Sequence, residues 1–393
     1  MSGSAAENRA AEIRAAEDPA AEPTAAELPA GAVDRLVRAA ERDLPALEER
    51  RRLGAETMAG ITAAGFLRHF VAREFGGTAG TFSALLDASA TVGRTCPSTA
   101  WCATLFAAHG RLASYLPTEG RKALWGHSPD VPIATAIMPP RGRAVPVPGG
   151  WLLSGRWDTA SGVDHADWLL LASRTGAPDR PEHRILAVPR ADWTVLDSWR
   201  SLGMRGTGSH AVEVAEAFVP ERLSFTMADL AHPVAADAAR CHRVPVQLAG
   251  TLMFAAPVAG AAQGALDAWR AAAVTPRPVR SAASDQALSE SSAQIAAARL
   301  LLERAARRAD HDEVTPLLVA ENRRDAVTAV RWCAAAVDRL FHAAGSHVHR
   351  DGSPFQRYWR DITTAATHGA LGPAAAAAEY ADTVLGPPAP DGR

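Results

Sequence analysis

Between Pro132 and Pro220 the chain changes its hydrophobic period. Short runs there alternate apolar and polar residues and are broken by Pro and Gly, as in strands with one buried face. The segments on either side repeat apolar residues every three or four positions, as in helices. Strands are expected at Leu152–Trp157, Trp168–Ala172, Ile185–Pro189 and His210–Val219, with Gly149-Gly150 joining the first of them to a strand before it. Two turns punctuate the module. Trp157-Asp158-Thr159-Ala160-Ser161-Gly162 puts a hydroxyl and a flexible backbone at a strand end. Leu202–Ser209 puts Arg205 and three glycines just before another strand. A small β module clamped between helical modules is an arrangement able to hold a flat cofactor.

The 393 residues divide into four parts. Residues 1–30 repeat Ala-Ala-Glu every five positions, which fits neither structural period, and Pro19, Pro23 and Pro29 interrupt them; a disordered or frayed tail is expected. Residues 31–130 read as a helical domain. One helix runs from Phe82 to about Cys96, and Pro97 opens another that carries Trp101, Leu105, Phe106 and His109. Residues 131–225 hold the β domain. Residues 226–393 are helical again, with narrow small-residue seams through Ile295, Ala298 and Leu302 and through Val330, Ala334 and Val337, as in an antiparallel bundle. A last pair of helices, starting near Pro354 and Ala374, is separated by Gly369 and Gly372-Pro373.

Several function classes are excluded. A net charge of −2, with arginines scattered along the chain, argues against a nucleic-acid or anionic-membrane partner. The single lysine, Lys122, sits in no phosphate loop, and no Gly-x-Ser-x-Gly elbow occurs. Cys96, Cys102, Cys241 and Cys333 form no CxxC pair and read as small buried hydrophobes. With no uninterrupted apolar run of about 18 residues and no secretory leader, a cytoplasmic location is expected. His342, His347, His349 and Asp351 match no ligand spacing, so no metal is expected.

The remaining motifs are ambiguous one by one. Gly203-x-x-Gly206-x-Gly208 leads into a strand and not a helix, so it is no dinucleotide fingerprint. It is either a tight turn or a turn that packs its backbone on a ligand with Arg205 alongside. Ser161-Gly162 is either plain turn chemistry or a hydroxyl aimed at a heterocycle's edge. His109 on an apolar helix face reads first as a satisfied core histidine, and His368 before Gly369 as a helix-end histidine. Arg280 is a solvated cap or a phosphate or anion anchor. Arg357 and Arg360 flank Trp359 and can pair with Asp361 or with another subunit.

In order, Glu74-Phe75-Gly76-Gly77, Cys96–Trp101, Leu153–Trp157 with Ser161-Gly162, Trp199–Ser209, Phe218–Glu221 and Gln356-Arg357-x-x-Arg360-Asp361 ahead of His368 carry a resemblance. Over residues 35–387 the chain resembles the acyl-CoA dehydrogenase superfamily. Within it, the chain is most similar to two-component flavin-dependent monooxygenases, the group of hydroxyphenylacetate and secosteroid-phenol hydroxylases. The resemblance implies an α+β, mostly α fold: an N-terminal helical domain, a central β-barrel-like domain and a C-terminal four-helix bundle, commonly assembled as a homotetramer. Dehydrogenases of this fold place a carboxylate base near the position where this chain reads His368-Gly369-Ala370-Leu371-Gly372-Pro373, which contains no acid.

What the resemblance implies is an oxygenase that takes reduced flavin, FADH2 or FMNH2, from a separate flavin reductase and uses O2 to hydroxylate an aromatic substrate through a flavin C4a-hydroperoxide. Ser161 would contact the flavin near N5. Trp157, Thr159, Gly162 and Arg205 would line the flavin, with Arg280 and Arg357 as further cofactor contacts. His368 would be the base or orienting group, and His109 would face the same cavity. N-oxygenation of an amino sugar, acyl-CoA dehydrogenase or oxidase chemistry, and a non-catalytic flavin-binding role remain the alternatives.

Overall fold

The computed structural model describes residues 28–177, 180–235, 238–273 and 281–386. The Ala-Ala-Glu repeats and Arg280 lie outside the described residues. The chain opens with helices α1 (Ala30–Arg50), α2 (Ala55–Ala63), α3 (Phe82–Gly93), α4 (Pro97–Ala113) and α5 (Thr118–Trp125). α4 is the central helix. Pro97 fits its first turn, where no intrahelical donor is needed, and every residue but Ala108 is buried. A helix apolar on all sides belongs in a core, so its few polar side chains, His109 and Arg111 among them, need a local reason.

The strands are β1 (Ile133–Ala136), β2 (Arg143–Val147), β3 (Gly150–Ala160), β4 (Trp168–Ala177), β5 (Arg180–Pro189), β6 (Thr194–Leu196), β7 (His210–Pro220) and β8 (Ser224–Thr226). They form one sheet in the order β6-β7-β3-β2-β4-β5-β8, with β1 parallel to β4. β1 lies against β3 and β5 against β7 without pairing, so the sheet folds over towards a barrel. Its interior holds Leu153, Trp157, Leu169, Leu171, Ile185 and Val212. The register of β3 on β7 shifts between Trp157 and Ala160, a bulge where Thr159 takes a positive φ of 62°. The expected strands are all present but longer, and β2 is the strand expected ahead of Gly149-Gly150; β1, β6 and β8 were too short to be read.

The second helical set is α6 (Arg240–Arg243), α7 (Val246–Ala273), α8 (Ala282–His311), α9 (Pro316–Ala343), α10 (Pro354–Ala365) and α11 (Pro373–Leu385). α7 is long and apolar enough to cross a membrane by length and composition, a length that reading uninterrupted apolar runs overlooked. Yet 78% of its most apolar window is buried by its neighbours, as befits a core helix. It crosses α3 closely: a Cβ on Gly260 would lie 2.2 Å from the Ala90 carbonyl oxygen. The first helices therefore share one continuous core with the second set. Asp310 near the end of α8 caps α3, accepting from the Phe82 and Ser83 amides at 2.7 and 3.0 Å.

The turn between β6 and β7 docks the sheet onto α10. Gly203 N–H donates to Thr364 Oγ1 at 2.9 Å, Met204 N–H to Asp361 Oδ1 at 2.5 Å, and Arg360 Nη1 to the Leu202 carbonyl at 2.9 Å. Gly203 is obligatory here because a Cβ would sit 2.1 Å from the Arg360 carbonyl oxygen. Burial pushes the Asp361 carboxyl up to about 6, against the Met204 amide and Arg357, which favour the carboxylate.

Candidate active site

Where the docked turn, α4, α7 and the α10–α11 connection converge, they enclose a cavity of about 690 Å³. Ser161, at the end of β3, faces it. Its hydroxyl is 2.7 Å from Ser209 Oγ, which is 2.7 Å from Thr207 Oγ1; Thr207 donates to the Met204 carbonyl at 2.8 Å. A carbonyl can only accept, so the chain has one direction. Thr207 spends its proton on Met204, Ser209 donates to Thr207, and Ser161 donates to Ser209. Trp101 Nε1–H donates to Ser161 Oγ at 3.2 Å. Ser161 is left with one lone pair for a ligand, so it meets that ligand as an acceptor.

His368 forms the second group. Its ring stacks on Phe254 at 4.2 Å and meets Trp101 edge-on at 5.5 Å. Nδ1 accepts from the Ala370 amide at 3.2 Å, so the neutral ring carries its proton on Nε2. His109 is the opposite. Its Nδ1 is 2.7 Å from the Ile133 carbonyl, which can only accept, so Nδ1 carries the proton. Nε2 then presents a lone pair, now 3.0 Å from Thr135 Oγ1. Burial pushes the pKa of both rings down to about 4, although His368 remains open to water in the cavity. Both are neutral at pH 7, one a donor and the other an acceptor.

Ser161, Thr159, His109 and His368 thus reach one cavity. The other expected residues do not line it. Trp157 is buried in the sheet interior and donates Nε1–H to the Ala172 carbonyl at 2.8 Å, because the bulge turns the chain only after it. Gly162 takes φ 72° and packs on Phe106, where a Cβ would come within 2.7 Å of the ring. Arg205 turns away to donate to the Glu48 carbonyl at 3.2 Å. Arg357 reaches the Thr95 carbonyl at 3.4 Å behind α10. Cavity residues that sequence reasoning passed over are Thr135, Ser209, Phe254 and Arg111. The apolar periodicity of α4 was the available signal for Arg111, since a charge on such a helix is out of place.

Residues 252–373 match the family model described as "Acyl-CoA dehydrogenase, C-terminal domain". The oxygenase subunit HsaA of a flavin-dependent monooxygenase from Rhodococcus jostii is 29% identical over 378 residues, covering 88% of this chain and 97% of that protein. The oxygenase component of p-hydroxyphenylacetate 3-hydroxylase from Acinetobacter baumannii is 26% identical, covering 82% of this chain and 80% of its own length. The structure of XiaF from Streptomyces sp. in complex with FADH2 and glycerol superposes with a TM-score of 0.84 at 26% identity, covering 98% of this chain and 99% of that one. Fold and cavity together define a flavoenzyme of the acyl-CoA dehydrogenase superfamily. Within it the chain belongs with the oxygenase components of the two-component flavin-dependent monooxygenases.

Proposed function

We propose that this chain hydroxylates an aromatic substrate, using O2 and reduced flavin supplied by a separate reductase. The observation that carries this reading is the directed hydroxyl chain ending at Ser161, in one cavity with two imidazoles of opposite polarity. The residues fit a reduced flavin: its N5–H is a donor, and Ser161 offers an acceptor whose own proton is committed elsewhere. When bound, the flavin supplies the oxygen activation. The protein's part is placement and dryness. Trp101 and Ser209 hold the Ser161 oxygen in position, and the surrounding Phe254, Met253 and Leu105 exclude water.

His109 Nε2, which accepts from Thr135 Oγ1 at 3.0 Å here, would exchange that partner for a phenolic hydroxyl and raise the electron density of the ring. His368, with its proton on Nε2, donates to an oxygen on the substrate. A conjugate acid near 4 makes either ring a weak base at pH 7, so orientation and hydrogen bonding outweigh outright proton removal. Among the described residues the cavity's one carboxylate is Asp158, and it sits 3.4 Å from both Arg141 and Arg156. It is not poised as the base that acyl-thioester dehydrogenation requires. Assembly as a homotetramer through the helices is part of the proposal, supported by Leu300, Leu317 and Trp332, which α8 and α9 expose.

The deciding experiment mixes the protein with chemically reduced FAD or FMN, O2 and a phenol panel. Hydroxylated product in step with oxygen uptake is expected. Oxygen uptake that yields only hydrogen peroxide with every phenol would end the aromatic reading.

A further inference from the structure

Arg111 is an anomaly in the cavity wall. It lies on α4, it is only 5% exposed, and an arginine stays charged when buried. Buried charges are ordinarily paired, since taking an ion out of water costs several kcal/mol. The other charged side chains of the cavity obey this: Asp158 has Arg141 and Arg156, and Arg323 has Glu379. Arg111 has no carboxylate partner among the described residues. Its Nε donates to the Cys241 carbonyl at 2.5 Å and its Nη2 to the Val244 carbonyl, and the Phe82 ring lies 5.4 Å from its Cζ. These contacts tie the start of α7 to α4, but two carbonyls and a ring face do not neutralise a full charge. Among the described residues Nη1 has no hydrogen-bond partner, and it is not fully enclosed; Arg111 lines the cavity, which is where this group can be met.

Position gives this charge a purpose. Ten residues of α4 separate Trp101, which holds Ser161, from Arg111, a rise of about 15 Å. His109 lies between them near the Arg111 end. Around Arg111 the wall is apolar, with Phe70, Phe82, Leu112 and Val246. Two residues apart on α4, His109 and Arg111 flank its cavity-facing side from opposite edges; a lone cation in a hydrocarbon pocket, across that face from the histidine that meets the substrate hydroxyl, marks where a second substrate group goes.

We propose that Arg111 binds an anionic group of the substrate, so that the enzyme takes phenolic acids in preference to neutral phenols. This rests on the monooxygenase reading above and deepens it. A carboxylate at Nη1 would complete the missing ion pair. Its affinity for this end of the cavity would also fix which carbon of the ring points towards Ser161.

The test is a comparison of acids with their amides, which match in shape and differ in charge. Calorimetric titration of the full-length protein carrying reduced flavin, without oxygen, uses para-hydroxybenzoate and para-coumarate against their primary amides. At least one acid is expected to bind ten-fold or more tightly than its amide, and Arg111→Gln is expected to bring the pair within about two-fold. Equal affinities within both pairs in the unaltered protein, or no binding by any of the four, would overturn the proposal. Retained discrimination in Arg111→Gln would overturn it as well. Should Arg111→Gln not fold, Arg111→Lys serves instead: charge survives while the planar fork is lost, and an intermediate preference for the acid is the supporting result, an unchanged ratio the opposing one. Oxygen uptake with reduced flavin is measured in parallel. Its presence alongside equal affinities leaves the monooxygenase standing and removes only the role of Arg111.

Discussion

At the scale of single residues, the decisive feature is that hydrogen-bond direction is fixed by backbone partners. The Met204 carbonyl at one end of the hydroxyl chain and the Trp101 indole at the other leave Ser161 one lone pair to offer. Ser209→Ala breaks the chain and frees the Ser161 proton to point at the ligand. The expected result is several-fold more hydrogen peroxide per hydroxylated product, with the fold and melting temperature nearly unchanged. Ser161→Ala should uncouple at least as strongly, and unchanged coupling in both would remove the hydroxyl chain from the mechanism. His368→Ala is expected to collapse product formation while reduced flavin still binds, measured by product analysis beside anaerobic flavin titration. Removing His368 deletes a donor and a stacking partner of Phe254, to which the proposed function gives the placing of substrate, whereas none of its contacts is assigned to the cofactor.

At the scale of elements, the joint between the β6–β7 turn and α10 controls the shape of the cavity. Asp361 is its centre, buried and accepting the Met204 amide. Its pKa is raised to about 6 in the fold from 3.8. The folded state therefore holds a proton that the unfolded state has released, and stability present below about pH 4 is lost as pH rises through 6. At roughly 1.4 kcal/mol per unit the loss is on the order of 3 kcal/mol. Asp361→Asn, which keeps an acceptor for Met204 and cannot ionise, should flatten the fall in melting temperature between pH 4.5 and 7.5 (on the order of that interval). An identical pH profile in both proteins would show that Arg357 and Arg360 already neutralise the carboxylate. The α3–α7 crossing makes a second demand. Gly260→Val would drive a side chain into the Ala90 carbonyl, and a loss of more than about 3 kcal/mol in denaturant unfolding is expected.

These elements also show what could be read beforehand. The α4 face was legible because apolar residues recur at helical spacing, and the middle of β7 because buried Val212 and Val214 alternate with exposed Glu213 and Ala215. Thr135 was hidden because β1 is four residues of Ile-Ala-Thr-Ala, too short to declare a period. Trp157 was misplaced for a physical reason. A bulge two residues later reverses which side of the sheet the chain serves, and no local propensity announces it. Arg205 and Arg357 were expected at the cofactor from the resemblance. Their real partners, the Glu48 and Thr95 carbonyls, are distant in sequence and exist only after the helices pack.

At the scale of the whole molecule, stability and site are one problem. The first helices and the second set share a core, the turn at residues 199–209 holds the sheet to both, and the Arg360–Glu48 ion pair ties α10 to α1 beside that turn. Asp310 fastens α8 to the start of α3, next to Phe82, which packs on Phe70 and under Arg111. Asp310→Ala leaves two amides and the Ser83 hydroxyl without their acceptor, a cost of about 2–4 kcal/mol. Because Phe82 follows directly on the α3 cap, that change should also loosen the Arg111 end of the cavity while sparing the Ser161 end, some 15 Å away along α4. The measurement is paired: melting temperature for the joint, and affinity for phenolic ligands against affinity for reduced flavin for the two ends. Weaker phenol binding with intact flavin binding is expected. Equal loss of both would mean that the cavity yields as a single unit, with no separate mechanical support for its substrate end.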